Sequence, residues 1–113
     1  MSKITTHVLD TSKGKPAAGI PIALQKSKGK GTWETLATGV TNTDGRIADW
    51  LPKDKSLRSG IYQMVFDTGT YFKSQKTKAF YPVVRIIFEI SDNSHHHIPL
   101  LLSPFGYSTY RGS

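Results

Sequence analysis

Apolar residues recur at every second position in several short runs of this chain, and this spacing is the strongest constraint on its fold. Side chains two positions apart on a strand share a face, so each run has one face suited to a core. Gly, Pro, Asn and Asp separate the runs. Short alternating strands divided by such turns predict an antiparallel β-sandwich or barrel. The runs occupy residues 4–9, 20–24, 61–67, 83–90, 95–102 and 107–111.

Two turns and one helix can be predicted from local chemistry. Asp44-Gly45, within TNTDGR at 41–46, predicts a two-residue hairpin turn with Arg46 first on the outgoing strand. SPFG at 103–106 predicts a second turn, with proline at its second position. The stretch TGTYFKSQKT at 68–77 predicts one short surface helix. Because no linker divides the chain, residues 1–113 are expected to form a single domain.

Composition removes several classes of protein. The 113 residues contain no cysteine, which excludes disulfides, thiolate nucleophiles and cysteine-based zinc sites. The sequence has no apolar run long enough to span a bilayer, no N-terminal apolar leader and no C-terminal Ser-Lys-Leu signal. A soluble, cytoplasmic protein without a membrane partner is therefore expected.

The formal net charge of +7 raises the question of nucleic-acid binding. Most lysines lie in turn-like stretches without an interleaved aromatic platform or a recognition helix. We therefore expect no nucleic-acid partner, and the lysines are expected to be solvated. A cationic surface can also attract a small anionic substrate.

Four histidines are the first candidates for chemistry. His95 and His97 share a strand face, and His7 on another strand could complete a zinc site, although no carboxylate or cysteine lies nearby in sequence. His7 and His97 interrupt apolar strands, which is typical of hydrogen-bonded core histidines or of tuned acid–base groups. His95 and His96 are interpreted as surface or edge residues.

Other catalytic arrangements lack support in the sequence. There is no nucleophile elbow, no persuasive pair of acidic residues and no phosphate-binding glycine motif. Arg46 has the planar fork that suits a planar anion. On the final strand, Ser108 and Tyr110 share one face, whereas Tyr107 lies on the other and is expected to pack. His, Arg and Tyr side chains around a small anion are the resulting hypothesis.

Longer segments carry a resemblance to a known family. In register and almost end to end, the chain resembles the 5-hydroxyisourate hydrolases, which are related to transthyretin. The terminal YRGS is the most specific element, because transthyretin lacks it and also lacks the histidines of the enzyme. The segments are THVLDTSKGKPAAGI (6–20), TNTDGR (41–46), YQMVFDTGTYF (62–72), FYPVVRIIFEI (80–90) and HHHIPLLLSPFGYSTYRGS (95–113).

The resemblance implies a fold, an assembly and a reaction. The fold is an all-β, transthyretin-like (prealbumin-like) sandwich of two four-stranded antiparallel sheets, with one short α-helix near residues 68–77. The assembly is a homotetramer with active sites at the dimer–dimer interface. The reaction is the hydrolytic ring opening of 5-hydroxyisourate in purine catabolism by a His-activated water, without metal or cofactor.

The resemblance also implies residue roles. His7, Arg46 and His97 correspond to the catalytic residues of the family, and His7 and Arg46 would also bind the substrate. His96 replaces a residue that is commonly tyrosine; by strand parity it should face away from His97, so catalysis should survive. The remaining substrate-binding candidates are Ser103, Tyr110, Arg111, Gly112 and Ser113.

Two alternatives remain open from the sequence. One is a transthyretin-like carrier that binds small aromatic ligands without converting them. The other is a zinc-dependent hydrolase that uses His7, His95 and His97 as ligands.

Overall fold

A computed structural model describes residues 4–47, 50–51 and 57–112 of the chain. Within these residues, eight strands form two four-stranded sheets that face each other across one core, with the strand orders β2-β1-β7-β8 and β4-β3-β5-β6. The predicted all-β sandwich with one short helix is confirmed. The elements are β1 (Ile4–Asp10), β2 (Lys15–Pro16), β3 (Pro21–Gly29), β4 (Thr32–Val40), β5 (Gly60–Phe66), α1 (Thr68–Ser74), β6 (Val84–Ile90), β7 (His96–Ser103) and β8 (Gly106–Thr109).

The first sheet is mixed rather than purely antiparallel, which corrects the expectation for this sheet. β1 and β7 run parallel, with Thr5 opposite His97 and His7 opposite Pro99. A parallel pair needs a long crossover connection, and here the connection contains the whole second sheet and α1. This register brings residues from both ends of the chain onto one face.

Alternation along the strands determines which side chains enter the core. In β1, Ile4, Thr6 and Val8 are buried while the side chains between them are half-buried, as the period-two pattern predicts. The same alternation in the facing strands closes an apolar core between the sheets. Its fully buried members include Ile20, Leu24, Tyr62, Met64, Phe66, Val84, Leu100 and Leu102.

The predicted helix forms but is three residues shorter than the sequence indicated. Asp67 caps it by accepting a hydrogen bond from the Thr70 N–H, and its buried residues include Tyr71 and Phe72. It ends at Ser74, and Lys76 then adopts a left-handed backbone with φ of 53°. In the part of the chain that the structure describes, no helix has the length and apolar character needed to cross a bilayer.

The predicted turns have different outcomes. Pro104 and Phe105 join β7 to β8 in the expected hairpin. The prediction of a hairpin at Asp44-Gly45 is wrong. Arg46 forms an isolated antiparallel bridge with His7 and does not start a strand that pairs with the preceding strand.

Strand β4 was not predicted. It is an edge strand without a fully buried residue, so its sequence lacks the apolar alternation of the others.

A buried hydrogen bond ties the helix to the first sheet. The Tyr71 hydroxyl donates to Asp10 Oδ2 at 2.6 Å, and both residues are almost fully buried. Burial opposes ionisation of Asp10, but hydrogen bonds from Ser12, Tyr71 and Lys13 outweigh it and lower the pKa of this carboxyl group. Asp10 is therefore ionised and fixes both the end of β1 and the position of α1.

Replacing Tyr71 by Phe is expected to lower the free energy of unfolding by about 2 kcal/mol at neutral pH, since a buried carboxylate loses a donor. Because folding lowers the pKa of Asp10, its contribution is complete above about pH 4 and is lost as the pH falls through the folded-state value. The difference between wild type and variant should therefore shrink in acid. Urea denaturation of wild type and Tyr71→Phe at neutral pH and in acid measures this difference, with Tyr107→Phe as the control. Equal stability of the two proteins at neutral pH would contradict the role of the hydrogen bond between Tyr71 and Asp10.

Candidate active site

The two predicted catalytic histidines lie on the outer face of the first sheet. His7 is in the middle of β1 and His97 is near the start of β7, and both side chains are half-buried. His7 is paired with Pro99, so the two histidines lie on adjacent strands with an offset of two residues. Strand spacing places their Cα atoms roughly 8 Å apart, which is close enough for both imidazoles to reach one small ligand.

Arg46 is brought to the same face by a tight loop on the edge of β1. The Asn42 side chain organises this loop, because its Oδ1 accepts hydrogen bonds from the N–H groups of Asp44 (2.9 Å) and Arg46 (3.1 Å). Arg46 then bridges to His7. The guanidinium is exposed, and the described residues contain only one ion pair, which does not involve it. A cation without an ion-pair partner among the described residues therefore lies beside His7.

Gly45 explains how the loop approaches β1 so closely. Its carbonyl accepts a hydrogen bond from the Val8 N–H at 2.8 Å, and its φ is +74°. A Cβ atom at this position would lie 2.4 Å from the Val8 carbonyl oxygen and 3.3 Å from Cδ2 of His7. Only glycine fits this contact, so the Asp-Gly pair serves to dock Arg46 next to His7.

The environment lowers the pKa of both imidazoles and so favours their neutral form. For His7, burial and then the nearby Arg46 lower the pKa from its ordinary value of 6.5. A hydrogen bond with the Asp44 backbone and the charge of the Asp44 carboxylate oppose this only in part. For His97, burial, Arg46, His95 and His7 all lower the pKa, in that order of importance. Two neutral imidazoles can each accept a proton at neutral pH, and the neighbouring cation favours an anionic ligand.

The C-terminal tail lies directly against His97. The Gly112 N–H donates to the His97 carbonyl at 2.8 Å and continues the antiparallel register of β7 with β8. A Cβ atom on Gly112 would lie 2.6 Å from Cδ2 and 3.0 Å from Cβ of His97. In this register Tyr110 is on the same face as His97, and its side chain is 59% exposed. The tail therefore forms one wall of the site.

Three other predicted binding residues are placed differently. Arg111 donates to Ser94 Oγ at 3.3 Å and belongs by register to the opposite side of the sheet from His97. Ser103 is at the far end of β7, roughly 20 Å along the strand from His97, and donates to the Gly106 carbonyl. Ser113 lies outside the described residues. One chain thus brings together His7, Arg46, His97, Tyr110 and Gly112.

His96 faces away from His97, as strand parity predicts. Its side chain is only 7% exposed and lines a cavity of about 310 Å³ between β6 and the β7–β8 edge. The interpretation of His96 as a surface residue is therefore wrong, because this parity turns the ring between the two sheets. The cavity also exposes Ile86, Phe88 and Ile98, so it offers room for the larger ring of a tyrosine.

Sequence reasoning missed Thr5. Its Oγ1 lies 2.9 Å from His95 Nε2 and 2.8 Å from His97 Nδ1. His95 is therefore a half-buried partner of the site rather than a surface histidine. A threonine in a strand is ordinary, and only the register with β7 distinguishes Thr5 from other strand threonines.

No group of three or more His, Cys, Asp or Glu side chains among residues 4–47, 50–51 and 57–112 is arranged to hold a metal ion, so the zinc alternative has no ready ligand set there.

Replacing Arg46 by Gln is expected to raise the pKa values of His7 and His97 together, because the guanidinium lowers both. NMR titration of the ring protons measures this, and Arg46→Lys, which keeps the charge, should retain the low values. The lowered values also mean that the fold loses stability as the pH falls below about 6.5, since the unfolded chain then binds more protons. If the pKa values of His7 and His97 in Arg46→Gln equal those of the wild type, the guanidinium does not lower them.

Comparison with known proteins places this geometry in a family. The model of the HIUase/Transthyretin family matches residues 4–112. The chain belongs to this family. It is 47% identical to a 5-hydroxyisourate hydrolase of Salmonella typhimurium over 111 residues, which covers 97% of this chain and 80% of the relative. It is 48% identical to the 5-hydroxyisourate hydrolase of Mesorhizobium japonicum over 115 residues, which covers 98% and 92%.

Solved structures agree with this placement. The structure of Klebsiella pneumoniae 5-hydroxyisourate hydrolase superposes with a TM-score of 0.83 at 39% identity, covering 97% of this chain and 98% of the other. Sea bream transthyretin in complex with thyroxine superposes with a TM-score of 0.91 at 30% identity, covering 98% and 95%. The family fold is therefore shared by hydrolases and by a protein that binds thyroxine.

Proposed function

We propose that this protein is a 5-hydroxyisourate hydrolase of purine catabolism. The observation that carries the proposal is that His7, His97 and the Arg46 cation lie together on one face. Burial and Arg46 lower the pKa values of both imidazoles, and Arg46 has no ion-pair partner among the described residues. The near full-length relatives named 5-hydroxyisourate hydrolase support it. Such a site suits a flat, amide-rich substrate that carries negative charge.

In the proposed reaction, His7 and His97 orient a water molecule and remove a proton from it as its oxygen attacks a ring carbonyl. This carbonyl is next to the hydroxylated carbon of the substrate. The carbonyl carbon gains a C–O bond and then loses its bond to the ring nitrogen, which receives a proton. The six-membered ring opens to 2-oxo-4-hydroxy-4-carboxy-5-ureidoimidazoline, and one water is consumed. General-base assistance of this kind contributes roughly a hundred- to ten-thousandfold.

Arg46 and the tail would complete the site. The Arg46 fork binds the substrate edge and stabilises negative charge on the attacked carbonyl oxygen, a contribution of about 3 kcal/mol for a well-placed donor. Tyr110 is exposed beside His97 and can stack on the substrate ring. Gly112, together with Ser113 beyond it, would border the same ring.

The proposed assembly is a homotetramer with the site at a dimer–dimer interface. Large apolar side chains are exposed along the β6 and β8 edges and the neighbouring loops, including Ile87 (62%), Phe80 (68%) and Phe105 (65%). Ser103 is too far from His97 within one chain, so its predicted substrate contact would come from another subunit. Sedimentation should give four times the chain mass of 12.5 kDa; a monomer would remove the interface from the proposal.

The direct test is kinetic. Purified protein is mixed with freshly generated 5-hydroxyisourate, and the ultraviolet absorbance of the substrate is followed against buffer alone. Decay that is faster with protein supports hydrolysis, and product identity is confirmed by NMR. Decay at the buffer rate would leave a carrier as the better interpretation, which the thyroxine complex of sea bream transthyretin makes a specific alternative. Loss of activity on chelation, with recovery on zinc addition, would favour the zinc alternative.

A further inference from the structure

The hydroxyl of Thr5 lies between two imidazoles. Its Oγ1 is 2.8 Å from Nδ1 of His97 and 2.9 Å from Nε2 of His95. Thr5 is directly opposite His97 in the parallel β1–β7 pair, and His95 reaches the same face from just before β7. The two rings are nearly parallel, with centroids 6.4 Å apart. One side chain therefore contacts both histidines of the His-x-His sequence.

The chemistry of a hydroxyl couples the protonation of these rings. A threonine carries one O–H donor, whereas each neutral imidazole has one N–H and one acceptor nitrogen. Thr5 can donate to only one ring, so if it donates to His95 it must accept from His97. In that arrangement His97 carries its proton on Nδ1, and its Nε2 is an unprotonated acceptor. In the reverse arrangement Nε2 of His97 carries the proton and cannot accept another.

Only the first arrangement is compatible with His97 acting as a base, because its Nδ1 is occupied by Thr5 and Nε2 is the nitrogen left for water. It also needs no rearrangement during the reaction. When His97 gains a proton at Nε2, its Nδ1–H continues to donate to Thr5, and Thr5 continues to donate to His95. The same two hydrogen bonds thus serve the neutral ring and the imidazolium.

We propose that Thr5 and His95 are positioning residues that hold His97 in the Nδ1–H tautomer and leave its Nε2 free to accept a proton from water. This inference rests on the proposed hydrolase function for its kinetic consequence, but the tautomer itself can be observed without any substrate. Neither residue touches the reacting atoms in this scheme. Both act through the orientation and protonation of His97.

The experiment compares Thr5→Val with Thr5→Ser. Valine keeps the branched shape and removes the hydroxyl, whereas serine keeps the hydroxyl. Two-bond ¹⁵N–¹H spectra of the imidazoles should show Nδ1–H for His97 in the wild type and in Thr5→Ser, and a shift toward Nε2–H in Thr5→Val. The kcat for 5-hydroxyisourate should fall about thirtyfold in Thr5→Val with little change in KM, and Thr5→Ser should restore most of it.

A matched control and a second variant keep the test decisive. Thr11→Val removes a hydroxyl that donates to the Leu102 carbonyl rather than to a histidine, and it should leave both the spectra and kcat unchanged. His95→Ala should lower kcat less than Thr5→Val does, because Thr5 can still accept from His97.

The possible failures are distinguishable. If the wild type does not hydrolyse 5-hydroxyisourate, the proposed function fails, and the spectra alone decide whether Thr5 sets the tautomer. If the wild type is active but Thr5→Val leaves the His97 tautomer unchanged, the positioning role is overturned, whether or not kcat falls. An Nε2–H tautomer of His97 in the wild type would overturn it as well.

Discussion

Alanine at His97 is expected to lower kcat for 5-hydroxyisourate about a thousandfold, and alanine at His7 should have an effect of similar size. Both imidazoles are neutral and lie on the same face near Arg46, so each can take part in removing the proton from water. A general base contributes roughly a hundred- to ten-thousandfold to such reactions. Because neither side chain belongs to the buried core, both variants should fold as the wild type does.

The double variant tests whether the two histidines work together. Groups that act as a unit have strongly non-additive effects, so the double variant should lose little more activity than either single one. Steady-state rates for wild type, both single variants and the double variant give this comparison. His96→Tyr is the control, since this side chain faces the opposite side of the sheet, and its kcat should stay within about threefold of wild type. Near-normal rates in His7→Ala or His97→Ala would remove that residue from the mechanism.

The tail should be almost as important as the histidines. Gly112→Ala is expected to reduce kcat about a hundredfold, because a Cβ atom there would lie 2.6 Å from the His97 ring and must displace it. Deleting residues 110–113 should abolish hydrolysis, since it also removes Tyr110 and the hydrogen bond to the His97 carbonyl. Among the described residues, the apolar core contains none from the tail, so circular dichroism should show a folded protein in both cases.

Gly106→Ala provides a matched control for Gly112→Ala. Gly106 also lies in the C-terminal part of the first sheet, but a Cβ atom there would meet only Ser103 Oγ at 3.7 Å, an ordinary contact. Its activity should equal that of the wild type. If Gly112→Ala were also fully active, or if the deleted chain retained hydrolysis, the tail would be only the continuation of β8.

The sequence predicts the faces of strands well and their partners poorly. The alternation in β1 and β7 correctly separated His7 from the buried Thr6, and His96 from His97, because side-chain direction follows from the period of a strand alone. It did not show which face of β7 is the inner one, so His96 was wrongly interpreted as a surface or edge residue. The parallel register of β1 with β7 depends on packing across more than 80 intervening residues. Thr5 was therefore missed, although its parity with His7 is visible in the sequence.

Turn chemistry shows the same division between local and distant causes. Asp44-Gly45 does form a tight turn with a left-handed glycine, as its residue types indicate. The sequence cannot show that the residue after this turn pairs with His7 rather than with the strand before it. The error concerned the partner of Arg46, not the presence of a turn. Family resemblance supplied what local patterns could not, namely the prediction that His7, Arg46 and His97 form one site, and the structure brings these three residues to one face.

The parallel pairing of β1 with β7 also determines when the proposed site can assemble during synthesis. The Thr6 hydroxyl cannot donate to the Ile98 carbonyl until residue 98, which lies 92 positions later, has been made. Synthesis of these residues takes roughly 5 to 20 s at ordinary translation rates. Until then one edge of β1 is unpaired, and a nascent chain with an open strand edge is prone to aggregation. His7 and Arg46 emerge early, but His97, the third member of the proposed catalytic set, comes only with β7. If the proposed roles hold, a nascent chain that lacks residues 96–112 has no complete site.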